Sequence, residues 1–220
     1  LSRIFVPATS VDDWRQLLAD PDKHWKDGKS AMLVANEWQS ADGFPPHLVS
    51  ALAAAPKPIN SLIPLIILPE HKVAIPGGAR ASQNDVWVLA SHSGGLASIS
   101  VEGKVSEPFG ETVSDWLVDA STGKLERIGF LLDLLGLPPT PPGTIRYQLL
   151  HRVASAIIEA KRFRANLALS IVQSFSHDDD GFADFEAFCG LFGKSVKVGQ
   201  VINLGVHQGI PFYVAWVRNF

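Results

Sequence analysis

Three residues have the types and spacing of a site that holds a divalent cation: Asp85, Glu102 and Lys104. The stretch 96–105 alternates in the manner of a β-strand. Ala97, Ile99, Val101, Gly103 and Val105 are predicted to point one way, and Ser98, Ser100, Glu102 and Lys104 the other. Residues 85–91 read as its partner strand, and His92-Ser93-Gly94-Gly95 is a hairpin signal. If the hairpin folds about Ser93-Gly94, Ser91 pairs with Leu96 and Asp85 falls opposite Glu102. Directly opposed Cβ atoms lie about 4.5–5.5 Å apart. Two carboxylates placed so repel each other. A divalent cation between them removes the conflict, since Mg²⁺ is commonly held by one or two carboxylates with waters and phosphate oxygens. Lys104, one pleat further on, would orient a water or stabilise charge growing on a phosphate. The plainer alternative is a solvated strand edge, where Glu-x-Lys is common.

The elements around this hairpin follow from hydrophobic period and breakers. Helices are predicted over 11–18, 29–39 and from Pro46 to 55, the last opened by Pro45-Pro46. Residues 62–68 read as a buried strand that continues extended to 74. One or two helices fall within 109–136, and a long one over 144–163 carries the stripe Leu149, Leu150, Val153, Ile157 and Ile158. An apolar strand over 167–174 follows. A helix to about 192 is expected to be capped by Asp178, Asp179 and Asp180, and a last strand over 214–217 follows a hairpin at Gln208-Gly209. Between 29 and 174 the order is helix, strand, strand, strand, helix, strand. This is an α/β fold with a central mixed sheet flanked by helices.

Asp85 followed by Val101-Glu102-Gly103-Lys104 on the next strand resembles the motif of the PD-(D/E)XK, or restriction-endonuclease-like, superfamily, with Asn84 standing where the motif has proline. The element order resembles that superfamily's αβββαβ core over 29–174. The stretches Ser82-Gln83-Asn84-Asp85, Val101 to Val105 with Glu107-Pro108-Phe109-Gly110, and Arg146 to Arg152 are similar to a bacterial family of uncharacterised proteins, over most of the chain. The resemblance implies a hydrolase, a nuclease that cuts DNA or RNA with Mg²⁺ or Mn²⁺. Asp85 and Glu102 would bind the metal and Lys104 would assist the attacking water. An acidic residue of the first core helix often joins such a site. Glu37 is that candidate, with a solvated helix face as its alternative, and Glu70 is its rival. Gln148 sits where some members place a glutamine on the next helix. Gln148, Arg152, Ser155 and Glu159 share one helical face, by spacing either a site face or a hydrated one. Arg146 and Arg152 are the candidate substrate-binding residues.

Composition bounds these expectations. The 220 residues are 46 % hydrophobic and 19 % charged, the balance of a globular chain, and one domain over 1–220 is expected. The 29–174 core would then carry an N-terminal helix and C-terminal helix and strand additions. The net charge of −3 counts against tight, sequence-independent binding of duplex DNA, although five Lys/Arg against one acid between 143 and 165 leave a local basic face. That acidic balance motivates a rival class, a non-catalytic nuclease-fold protein that binds or regulates, with a homodimer as one expected form. One cysteine, Cys189, excludes an internal disulfide framework and fits a reducing, cytoplasmic setting. No apolar run reaches the length of a membrane span. No Walker loop, dinucleotide fingerprint or zinc-type Cys/His pairing occurs, and Ser91-His92-Ser93 reads as a turn rather than a nucleophile elbow.

Overall fold

A computed structural model describes residues 4, 8–140 and 142–220. Two short helices, α1 (Val11–Arg15) and α2 (Pro21–His24), precede α3 (Ser30–Ala41) and α4 (Pro46–Ala53). α3 buries Val34, Ala35 and Trp38 and stops where Asp42 turns left-handed at φ 41°. A 3₁₀ turn leads to a meander of three strands, β1 (Ile63–Val73), β2 (Ser82–His92) and β3 (Gly95–Lys104). Then come α5 (Val113–Trp116), α6 (Thr122–Leu134), α7 (Tyr147–Phe163), β4 (Leu167–Ser174), α8 (Phe182–Gly190) and the closing hairpin β5 (Val201–His207) and β6 (Ile210–Arg218).

The six strands form one mixed sheet in the order β1-β2-β3-β4-β6-β5. The meander is antiparallel, β4 runs parallel to β3 and to β6, and β5 pairs antiparallel on the far edge. Every residue of β4 is buried, as expected of a central strand covered on both faces. One apolar layer joins Trp38, Leu48, Val86, Val88, Ile99, Val101, Leu169 and Ile171 beneath α3 and α4. The other joins Leu131, Leu150, Val153, Ile157, Val172, Phe185 and Trp216 beneath α6, α7 and α8. Alternate residues of the central strands feed the two layers, which fixes the register of the sheet.

The expected hairpin register holds, with Ser91 paired to Leu96, and β3 alternates as its sequence requires. The Asp178–Asp180 run does not cap α8, whose N-cap is Gly181 at φ 87°. Asp179 instead accepts an ion pair from Arg218, and Asp180 accepts the Ser176 hydroxyl at 2.9 Å. A tertiary partner on β6 outcompetes the local helix end for the Asp179 carboxylate.

Candidate functional site

β2 loses its ladder partners at one place. The β1–β2 register steps from Pro69↔Val86 to His71↔Asn84, passing over Glu70 and Asp85, and the β2–β3 register ends at Val86↔Val101. Glu70 itself has φ 49°. Side-chain alternation breaks across this gap. Ser82 and Trp87, five residues apart, both meet α7, through His151 and Phe163. Asp85 is therefore not squarely opposed to Glu102 in a continuing ladder. Its carboxylate turns toward β3, where the Gly103 N–H donates to Oδ2 at 2.7 Å. The strands part here, and the side chain takes the place of the missing rung.

Glu102 and Lys104 share the α7 face of β3, as their spacing requires, and both are buried at 6 % and 4 % exposure. Lys104 Nζ lies 3.1 Å from Glu102 Oε1 and 4.7 Å from the centre of the Phe109 ring. α7 brings Gln148 and Arg152, one turn apart, onto the same pair. The Gln148 amide donates to Glu102 Oε1 at 2.7 Å and its oxygen accepts from Lys104 at 3.1 Å, while Arg152 Nε donates to Glu102 Oε2 at 2.6 Å. Arg152 Nη1 also donates to Ser82 Oγ, which shares a 2.8 Å hydrogen bond with His151 Nδ1. Ser155, fully buried, donates from its hydroxyl to the same knot.

The face of α7 bearing Gln148, Arg152, Ser155 and Glu159 is thus not hydrated. It is seated on the meander, with Ser155 and Glu159 buried and Gln148 and Arg152 half-buried, and at its far end Glu159 Oε2 lies 3.2 Å from His71 Nε2 on β1. Glu70, rather than Glu37, comes to Asp85. Glu70 accepts from the Gln83 amide at 2.8 Å, and its charge and that of Asp85 oppose each other. Glu37 lies half-buried on α3, and its carboxylate makes no hydrogen bond or ion pair among the described residues. Arg146 points elsewhere, onto Asp184 at 3.0 Å and the Gly110 carbonyl. Ser82, Gln83 and His151 had no role in the sequence reading. They lie inside the two polar stretches, 82–85 and 146–152, that the fold brings together.

The electrostatics divide the carboxylates. Burial, and then the nearby Asp85 charge, pushes Glu70 up to about 8. Burial, and then Glu102, pushes Asp85 up to about 7. Burial disfavours the Glu102 anion as well, but Arg152 and then Lys104 outweigh it and hold that carboxyl below the ordinary range. Burial, reinforced by Arg152 and Arg127, drives His151 well below an ordinary histidine, so its ring is neutral at pH 7. The result is one anion already balanced by two cations, beside two carboxyls whose ionisation is disfavoured by burial and then by a neighbouring carboxylate, Asp85 for Glu70 and Glu102 for Asp85. Among the described residues no three His, Cys, Asp or Glu side chains are grouped to hold a metal.

These features define a mixed α/β domain with a buried ionic centre where a sheet forks. A family model described as a domain of unknown function, DUF6946, matches residues 7–219, and the chain belongs to that family. No curated protein matches it. No solved structure matches it either. Among the described residues no helix is long and apolar enough to cross a membrane.

Proposed function

We propose that this protein is a divalent-metal-dependent phosphodiesterase, a nuclease acting on DNA or RNA, built on a restriction-endonuclease-like core. The observation that carries the reading is the position of Asp85 at the fork beside Glu102 and Lys104, with Gln148 tying the last two together. The order of α3, β1, β2, β3, α7 and β4, with the meander antiparallel and β4 parallel to β3, supports the αβββαβ likeness.

The donor set fits Mg²⁺ or Mn²⁺. Asp85 and Glu102 are hard oxygen donors, and burial followed by the charge of Glu102 raises the Asp85 pKa, a conflict that a cation between them would relieve. A cation bound there would offset charge on a phosphate oxygen and acidify a water. The chain's own groups do the rest. Gln148 fixes Glu102 and Lys104 in one geometry, and the Lys104 ammonium, held against Phe109, faces the negative charge that grows during displacement. Cys189 as the single cysteine supports a reducing, cytoplasmic setting.

The test is nicking of plasmid DNA and of single-stranded RNA with Mn²⁺ or Mg²⁺. Wild type is expected to cut in metal and not in EDTA, and Asp85→Asn and Glu102→Ala to lose cutting while keeping the far-ultraviolet dichroism of the folded chain. Cutting that survives in both variants removes these roles.

One observation favours a second reading, a non-catalytic nuclease-fold protein that binds or regulates, as a homodimer or with another partner. Arg146 and Arg152 are both engaged internally, which leaves the exposed Lys161, Arg162 and Arg164 at the far end of α7. Nine residues of helix place Lys161 about 13 Å from Arg152. On that reading no nucleic acid is turned over, and light scattering reports a stable assembly.

A further inference from the structure

We propose that Arg152 occupies the cation position on Glu102 and so sets the affinity of this centre for a divalent metal, turning to a phosphodiester when one arrives. The inference rests on the nuclease reading of the same site and assigns a positioning residue to it.

The geometry is specific to Arg152. Glu102 has two carboxylate oxygens, and they are divided between cations: Oε1 faces Lys104 at 3.1 Å and Oε2 faces Arg152 at 2.6 Å. A metal that takes Glu102 as a ligand must take one of these oxygens. Oε1 is also held by the Gln148 amide at 2.7 Å, and Lys104 is itself pinned to Gln148 and lies over Phe109. Oε2 is held by the guanidinium, and the Arg152 side chain is 16 % exposed against 5 % for Lys104 and 8 % for Glu102. Arg152 is thus the counter-ion nearest water and the one that can leave.

Leaving needs a reason. A buried carboxylate stripped of one cation is costly unless another cation replaces it. A divalent ion replaces that charge at Glu102. A phosphodiester supplies the matching acceptor for the released guanidinium, whose planar fork suits phosphate oxygens. Ser82 of β2, itself hydrogen-bonded to His151 Nδ1 of α7, accepts from the guanidinium's other end at Nη1, so a short pivot about that contact exchanges one acceptor for the other. Without a phosphate, Arg152 keeps the centre charge-balanced and closed to metal.

The experiment is Mn²⁺ binding to the intact chain, followed by calorimetry and by the melting temperature, for wild type, Arg152→Gln and Arg152→Lys. In EDTA, Arg152→Gln is expected to melt below wild type, and Mn²⁺ to restore it. Its Mn²⁺ affinity should exceed that of wild type by roughly tenfold or more, the scale of ordinary coupling between two ligands of one site. Arg152→Lys, which keeps the charge and fold but not the fork, is expected to fall between. Dimethyl phosphate should tighten Mn²⁺ binding to wild type and leave Arg152→Gln unchanged. Equal, measurable Mn²⁺ affinity in all three proteins overturns the proposal while the metal-site reading stands. Absence of Mn²⁺ binding in all three, with Arg152→Lys folded, overturns both.

Discussion

Asp85 ends the pairing of β2 with β3 by accepting the N–H of Gly103 at 2.7 Å. The backbone rung that would follow Val86↔Val101 is replaced by a side chain, and at the fork so opened Asp85 feels the charge of Glu102 and raises the pKa of Glu70. Gly103 is required by this closeness rather than by its dihedral freedom. A Cβ there would stand 2.4 Å from Val34 Cγ2 of α3 and 3.4 Å from Asp85 Oδ2.

Gly103→Ala is therefore expected to destabilise the protein by about 1–3 kcal/mol, the usual cost of overpacking a filled core. Because the collision is with a side-chain methyl, Val34→Ala in the same chain should recover part of the loss. Urea unfolding of the two single variants and the double variant measures this. A strictly additive double variant would mean that the contact with Val34 is not what excludes a side chain.

Two ion pairs that look alike on paper should behave differently. Glu102→Gln keeps the shape but leaves two buried cations without an anion, and a loss of about 3–5 kcal/mol is expected. Arg146 and Asp184 are 29 % and 28 % exposed, so water screens them, and Asp184→Asn should cost only about 0–1 kcal/mol. Similar losses by urea unfolding would mean that the Glu102 centre is open to solvent.

The raised carboxyls give stability a defined dependence on pH. Glu70 and Asp85 bind protons more tightly in the folded chain than in the unfolded one, with folded values of about 8 and about 7. As pH climbs from about 4 to about 8 the unfolded chain releases these protons first, so stability falls with rising pH over that window. Glu102 has the opposite sign. Its contribution is complete above the ordinary carboxylate range and is lost as pH falls through its lowered folded value. Melting curves should show Glu70→Gln gaining on wild type steadily between about pH 5 and about pH 8. A constant offset across that range would mean that Glu70 ionises normally.

Cys189 is fully buried in the apolar layer that includes Phe185 and Phe188, and burial followed by the Glu186 charge pushes its thiol up to about 12. The thiolate is the reactive form. Iodoacetamide near neutral pH is expected to leave the native protein unlabelled and to label it fully in urea. Rapid native labelling would indicate that α8 opens readily.

What could be read from the residues alone was whatever depends on local period. The alternation of 96–105 placed Glu102 and Lys104 on one face, the turn at Ser93-Gly94 set the register of the hairpin, and the stripe along 144–163 marked α7. These rest on neighbours in sequence, and a mixed sheet flanked by helices follows from them. The relation of distant segments was decided elsewhere. Whether Glu37 or Glu70 would accompany Asp85 turned on a break in two paired strands at φ 49°, which no propensity marks. Gln148, Arg152, Ser155 and Glu159 fit a hydrated face and a buried one equally well by spacing, and only the seating of α7 on the meander chose between them. Asp179 suits a helix end by composition, yet Arg218, 39 residues away, claims it. A charged side chain is settled by the strongest partner within reach, and that partner is brought by the tertiary fold.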